Sequence, residues 1–457
     1  MKKASFIVLQ LFCLIVVPFS AVGATFTVTN TNDSGAGSLR QAIIDANNLY
    51  ENNIINFQDN LTGTITLTSG ELVITGDLTI NGTGARNLIV QRSTLSGTPN
   101  FRIFRVKSTG IVNINNLTIF NGKLEQAYGV GGGIFNQTGS KLNLYRVFIG
   151  FNTAELGGGI LNNGILNITE SLISYNFAIQ GGGLNANGDN SDVTITNSTI
   201  SNNYANWIFR GTGFITGVGA GIINFGVSLK LINVSVANNR ASDSSGGVKF
   251  VSMNGSSSVG NSIIAQNTAP QNPDVDASVS LGNNLIGIAS NNSGFTNGVL
   301  GDIVGTNSNP INPLLGELQN NGGPSDTHAL LPGSPAINAG NNSGAPSTDQ
   351  RGLPRISGGT IDIGSYELQQ APTAASVTIS GRVVSSNRGI AKVFVYLADQ
   401  TGETRTALTN SFGYYRFEDV RAGETYTVNA RSKRYQFSPQ IVSVNGEMSA
   451  VDFIAEP

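Results

Sequence analysis

Residues 131–268 hold five carboxylates, Glu155, Glu170, Asp189, Asp192 and Asp243, and their spacing decides whether this stretch could cleave a glycoside. Hydrolysis needs two carboxyl groups facing one groove, one giving a proton and the other activating water or attacking. Set against the repeat described below, the five do not fall as adjacent pairs. Asp189 and Asp192 sit in the polar turn Asn187–Asp192, which reads as solvated chain, and Glu170 falls beside Arg146, which reads as an ion pair. A β-elimination would use Arg or Lys as base together with calcium; Arg146, Lys141 and Lys230 are available, in no specific pattern. The single histidine, His328, has no nucleophile or acidic cluster at a recognisable spacing and reads as a hydrogen-bonding residue of a closing segment. The set Asp349, Arg351, Arg355, Asp362 and Glu367 reads as charges tying that segment together. No cofactor is called for; calcium is conceivable, and no metal-ligand cluster indicates it.

One stretch suits binding better than chemistry. Tyr204, Trp207, Phe209 and Arg210 lie in an insertion holding the sole tryptophan, and aromatic faces with a nearby guanidinium suit stacking on sugar rings. A hydrophobic lid folded over the scaffold is the equally weighted structural reading.

These residues hang on a repeat. Gly131-Gly132-Gly133-Ile134-Phe135-Asn136 returns as Gly157 to Asn162, and weaker copies open at Gly181, Gly219 and Ser245, at spacings of 26, 24, 38 and 26 residues. Each copy closes on an apolar residue, two further residues and an asparagine, giving Asn152, Asn176, Asn203, Asn239 and Asn267. Leu142-Asn143-Leu144, Ile165 to Ile168 and Val193-Thr194-Ile195 alternate at period two, so they are predicted strands. About 25 residues with three short strands and no helix match one coil of a parallel β-helix. Stacked coils would put the five asparagines in one hydrogen-bonded ladder of structural purpose. Arg146, Glu170, Asn197, Asn233 and Asn261 form a second column six residues earlier.

The ends carry other signals. Met1-Lys2-Lys3, the apolar run Phe6 to Val17 and Val22-Gly23-Ala24 predict a secretory signal peptide over 1–24, so the expected location is extracellular or the cell surface. Its removal takes away Cys13, the sole cysteine, and leaves no transmembrane segment. Net charge moves from −2 to −4 as Lys2 and Lys3 leave, with 24 basic against 28 acidic residues. No basic stripe appears, which argues against nucleic acid as partner. Segment 25–57 reads as an N-terminal cap, with Ser38 capping a helix from Leu39 to Leu49 whose Leu39, Ala42, Ile43 and Ala46 share a face. The β-helix is expected over 58–310, a closing module over 311–368, a linker over 369–375 and a separate, more charged β domain over 376–457.

The opening Thr27-Val28-Thr29-Asn30-Thr31-Asn32-Asp33-Ser34-Gly35 through Leu39-Arg40-Gln41-Ala42-Ile43 resembles that of secreted bacterial right-handed β-helix proteins of pectin-lyase-like fold. Thr327-His328-Ala329-Leu330-Leu331-Pro332-Gly333-Ser334-Pro335, Asp349-Gln350-Arg351-Gly352 and Ile361-Asp362-Ile363-Gly364 resemble their choice-of-anchor closing module. Asn338 stands where relatives commonly have Asp. That resemblance implies an all-β, right-handed parallel solenoid, export and surface display, and no settled activity; neither an Asp-Asp pair nor Gly-His-Gly marks a polygalacturonase-like site. Val377 to Val384, Val393 to Leu397 and Asn410-Ser411-Phe412-Gly413-Tyr414-Tyr415 resemble the carboxypeptidase regulatory-like domain, a transthyretin-like sandwich that is an accessory to catalytic modules. The expectation is an exported, non-catalytic surface or matrix protein, adhesive or glycan-binding. The alternative is a lyase or hydrolase acting on an acidic polysaccharide.

Overall fold

The computed structural model describes residues 23–456 except 50, 51, 60, 125–128, 189, 190, 207, 211, 212, 227, 252–256, 292, 370–375, 400, 401, 423 and 445, and leaves the side chains of 207–215 and 376 undescribed. The expected signal peptide and linker, apart from Gly23, Ala24 and Gln369, lie outside these residues. The chain divides into two compact units, Met1–Leu368 and Gln369–Pro457.

The first unit is a parallel β-solenoid. Each coil contributes a strand to up to three parallel sheets of 10, 10 and 7 strands. In one coil these are Lys141–Tyr145, Phe148–Gly150 and Ile160–Asn162. Register is strict: Leu142 pairs with Leu166 and then Val193, and Ile149 with Ile173 and then Ile200. A period-two side-chain pattern therefore sends every second residue inward, and the interior is a stack of Leu, Ile and Val columns, almost all fully buried.

The strands are short because three corners interrupt every coil. One corner carries Asn116, Arg146, Glu170, Asn197, Asn233, Asn261 and Asn283, all at left-handed φ between 45° and 60°. A second carries Asn121, Phe151, Tyr175, Asn202, Asn238 and Gln266 in the same conformation. The third is the glycine run. Gly131, Gly157, Gly181 and Gly219 take φ of 61–68°, and in the first three runs the next two glycines are needed for space. A Cβ on Gly133 would come within 2.7 Å of the Gly159 carbonyl oxygen and 3.0 Å of the Asn152 amide nitrogen.

The segment 25–57 joins this stack directly. Thr25–Val28 pairs in parallel with Asn53–Phe57, forming the first two strands of one ten-stranded sheet. Between them lies the helix Leu39–Asn47, N-capped by Ser38, whose Oγ accepts from Gln41 N at 3.2 Å. Its apolar face, Leu39, Ala42, Ile43 and Ala46, closes the interior. Its polar residues occupy the edge strand Leu72–Ile74: Arg40 donates to the carbonyls of Gly70 and Glu71, and Asn47 donates to Val73 O and accepts from Thr75 N. The helix thus covers both liabilities of a solenoid end, the apolar cross-section and the open backbone edge.

The segment 311–368 runs back along one flank. Its hairpin, Leu315–Gln319 with Thr327–Leu330, and the turns that follow pack on the outer side of the second ten-stranded sheet. There Ile263, Ala265 and Leu285 point outward and are covered by Leu330, Ala336 and Ile363. Polar ties follow coil by coil: Asn283 to Ala339 O, Asn261 to Asn341, Ser365 to Ser235, Gln350 to Thr199 and Thr348 O to Asn197.

The second unit is an antiparallel sandwich. Ser376–Ser385 and Tyr414–Arg421 form one sheet with Arg388–Gly389 and Phe453–Ile454. Thr404–Leu408, Phe394–Ala398, Glu424–Arg431 and Gln440–Val444 form the other. Ile379, Val383, Val395, Leu397, Tyr415, Phe417, Val428 and Phe453 fill its core.

Candidate functional site

The asparagine column sets the geometry of one corner. Asn152, Asn176, Asn203, Asn239 and Asn267 are buried, and each Oδ1 from Asn176 onward accepts both the backbone N–H and the Nδ2 of the asparagine one coil before it, at 2.9–3.1 Å. Their amide nitrogens also donate to carbonyls of the strand ends, as Asn203 does to Ile173 at 3.0 Å. All the amides point the same way, so the ladder has a donor end. That end meets Asp274, whose Oδ1 accepts from Asn267 N and Nδ2 at 2.9 Å while Oδ2 accepts from Ile288 N at 2.7 Å. A carboxylate suits the positive end of aligned dipoles, the logic that favours anions at helix N-termini.

Burial pushes Asp274 up to about 7 against those hydrogen bonds, and the consequence has a definite sign. A carboxyl holding its proton more tightly when folded stabilises fully below its unfolded value near 4, and that contribution is lost as pH rises through 7. Glu367, pushed up to about 7 chiefly by burial, acts in the same direction. His328, lowered chiefly by burial, opposes them, since its contribution is lost as pH falls below 6.5. Comparing the wild type with Asp274→Asn isolates the site. The destabilisation caused by the substitution is expected to be larger at pH 5 than at pH 8 by about 2 kcal/mol, read from urea midpoints. A pH-independent difference would show that Asp274 stays ionised throughout.

The residues on either side of each ladder asparagine point outward. The preceding column is Asn121, Phe151, Tyr175, Asn202, Asn238 and Gln266. The following column is Lys123, Thr153, Phe177, Tyr204, Arg240 and Thr268, paired in parallel from coil to coil. Phe151 and Tyr175 stack at 5.0 Å with planes 13° apart, and Phe120 meets Phe151 edge-on at 5.3 Å. Phe151 is 50% exposed, Tyr175 39%, Phe177 37% and Tyr204 44%, so four rings line an open surface. Phe177, Tyr204 and Arg240, with Asn206, Ser242, Thr268 and Pro270, line a groove of about 640 Å³. The Arg240 side chain is exposed, with no ion-pair partner among the described residues. Burial raises the Tyr175 hydroxyl, helped by Asp326 and Glu317 of the flanking hairpin.

Of the residues singled out for binding in the sequence, only Tyr204 has a described side chain, and it belongs to this groove. Trp207 lies outside the described residues. Phe209 and Arg210 lie on the strand Ile208–Arg210, paired antiparallel with Gly213–Ile215, so the insertion is a hairpin. The sequence reading missed Phe151, Tyr175, Phe177 and Arg240. The signal was present in the neighbours of each ladder asparagine: Phe-Asn-Thr, Tyr-Asn-Phe, Asn-Asn-Tyr and Asn-Asn-Arg.

The candidate acid–base residues are placed elsewhere. Arg146 Nε pairs with Glu170 Oε2 at 2.7 Å, and Glu170 is buried and also accepts from Thr348 of the flanking segment. Asp192 is the exposed first residue of the strand Asp192–Thr196, whose Val193 and Ile195 are buried, and Asp189 lies outside the described residues. His328 is buried; Nδ1 meets the Gly316 carbonyl at 2.7 Å, so it carries the proton, and Nε2 accepts from Ser201 Oγ at 2.8 Å. Asp349, Arg351, Arg355, Asp362 and Glu367 form one buried cluster. Arg351 pairs with Asp349 at 2.7 Å, the Asp362 oxygens accept from Asn338 N and Leu368 N, and the Glu367 oxygens from Ser357 N and Asp362 N. Among the described residues no three His, Cys, Asp or Glu side chains converge as a metal site, and no helix is long and apolar enough to cross a membrane.

These features define a parallel β-solenoid with an aromatic corner, joined to an antiparallel β-sandwich. Residues 378–455 match the carboxypeptidase regulatory-like domain family. No curated protein matches the chain.

Proposed function

We propose that this chain is an exported, non-catalytic surface or matrix protein that binds a glycan along the aromatic corner of its solenoid. The observation that carries the reading is the Phe151–Tyr175 stack. Both residues hold left-handed φ, 55° and 58°, in a column otherwise made of Asn and Gln. Asparagine tolerates that conformation, whereas a bulky aromatic residue pays about 1–2 kcal/mol for it, so exposed rings there point to a function outside the fold. Rings presented one per coil offer faces to the C–H surfaces of sugar rings, and Asn202, Asn238, Gln266 and Arg240 supply hydrogen-bonding groups beside them. The buried ladder keeps the surface rigid, so little conformational entropy is lost on binding.

Tyr175→Ala and Tyr204→Ala should each weaken retention on a polysaccharide array by about 1–3 kcal/mol, with unchanged melting. The same array reads neutral against uronic-acid polymers, with and without calcium. Full retention by both variants would remove the corner as the site. Release of unsaturated ends or reducing sugar by the wild-type chain would make the protein a lyase or hydrolase instead.

A further inference from the structure

The sandwich carries a second candidate surface, built from different residues. On the outer side of the sheet formed by Thr404–Leu408, Phe394–Ala398, Glu424–Arg431 and Gln440–Val444, the residues Leu408, Phe394 and Arg431 stand in one row across three strands. Phe394 and Leu408 are 50% and 52% exposed and are paired across adjacent strands. Tyr396 lies beside them, 6.5 Å from Phe394 between ring centroids and tilted by 32°. The Arg431 guanidinium lies 5.5 Å from the Tyr396 ring centre, within cation–π range, and the residue is exposed.

Charge is segregated along this sheet. Lys433 and Arg434 follow Arg431 in the next turn, both exposed. None of the three forms an ion pair among the described residues; the pairs recorded in this unit are Arg416–Glu418 and Arg421–Glu424. The acids Asp399, Glu403, Asp419 and Glu424 gather with Arg405 and Arg421 at the opposite end. Glu424 and Arg431 are the two ends of one eight-residue strand, roughly 23 Å apart at 3.3 Å per residue. That is well beyond the screening length of about 8 Å at physiological salt, so the acidic end does not neutralise the basic one. Glu456, which bridges to Gln436, turns its carboxylate to the Ser438 hydroxyl.

We propose that this end of the sandwich is a binding platform for an anionic polysaccharide. Phe394 and Tyr396 provide the face on which a sugar ring rests. Arg431, beside Tyr396, offers paired N–H donors to a carboxylate or sulfate on that ring, and Lys433 and Arg434 take the next charges along the polymer. A neutral glycan would leave three cations unused. A nucleic acid would need a broader basic surface than a chain of net charge −2 presents.

The test uses the full chain and alginate fragments as the anionic probe, with dextran as the neutral one, in affinity electrophoresis at low and high salt. Arg431→Ala with Lys433→Ala and Arg434→Ala should lower alginate affinity at least about tenfold at low salt, and high salt should remove most of the wild-type binding. Lys433→Glu alone, a change confined to an exposed turn, should give the same direction with an unchanged melting curve. Phe394→Ser should weaken alginate binding without altering its salt dependence. Tyr204→Ala with Arg240→Ala, in the solenoid corner, should leave this salt-sensitive component in place, which separates the two sites. Equal alginate affinity in the triple variant, no effect of Phe394→Ser, or tighter retention of a single-stranded oligonucleotide than of alginate would each overturn the assignment.

Discussion

Asn203→Ala lowers the stability of the solenoid by about 3–5 kcal/mol, an effect large for one substitution. Asn203 Oδ1 accepts from both Asn176 N and Asn176 Nδ2 at 3.0 Å, and all three groups are buried. Alanine leaves the Asn176 N–H without a partner in a space closed to water, costing about 1–3 kcal/mol, while Asn176 Nδ2 keeps the Ile149 and Ser174 carbonyls. It also removes the Nδ2 bonds to Ile173 O, Ser201 O and Asn239 Oδ1. Aspartate does not rescue it, because a carboxylate would face the Asn239 Oδ1 acceptor. One residue away, Asn202→Gly should cost almost nothing, since that position is half-buried and its φ of 54° suits glycine. Urea unfolding of the two variants side by side decides the matter. Similar midpoints would mean that the ladder contributes no more than any corner.

The second large effect is Arg355→Ala, also about 3–5 kcal/mol, the scale of removing one partner from a buried charge cluster. Arg355 is fully buried, donates from Nη1 to Gly364 O at 2.8 Å and from Nη2 to Asn197 Oδ1 at 2.5 Å. It joins the flanking segment to a solenoid corner, as Arg86 does from the solenoid side through Asp326 and Gly323 O. Burial lowers its pKa, and the attraction of Asp349, Glu367 and Asp362 opposes that shift. Its loss leaves three carboxylates facing Arg351 alone. The two acids already raised by burial, Asp362 and Glu367, should then take up protons at still higher pH. Arg355→Lys should not restore the tie, because one ammonium cannot span Gly364 O and Asn197 Oδ1 in the plane a guanidinium fits. Limited proteolysis is the sensitive measurement, with new cleavage expected within 311–368 before the coils unfold. A cleavage pattern identical to the wild type would show that the apolar contacts of Ile363 and Leu330 hold the segment unaided.

The sequence by itself determined the architecture of the solenoid, because there the information is local and repeated; the sandwich was legible through its resemblance to a known domain family. Inward Leu, Ile and Val at period two, glycine runs at a near-constant interval and a closing asparagine admit a stacked parallel coil and little else. Ser38 and the face Leu39, Ala42, Ile43 and Ala46 likewise defined a capped helix within one short segment. Tertiary structure decided what lies side by side across coils. Phe151 and Tyr175 are 24 residues apart and Tyr204 and Arg240 are 36 apart, and each pair meets only through the register of one coil on the next. Reading the asparagine column alone passed over its neighbours, although a corner that buries one residue must turn out those on either side. The flanking segment shows the same limit over a longer range. Its charged residues could be grouped by eye, but the residues on which the segment docks, Asn197, Thr199, Ser201 and Ser235, lie more than 120 residues earlier. No local pattern encodes a docking face made of one residue from each coil.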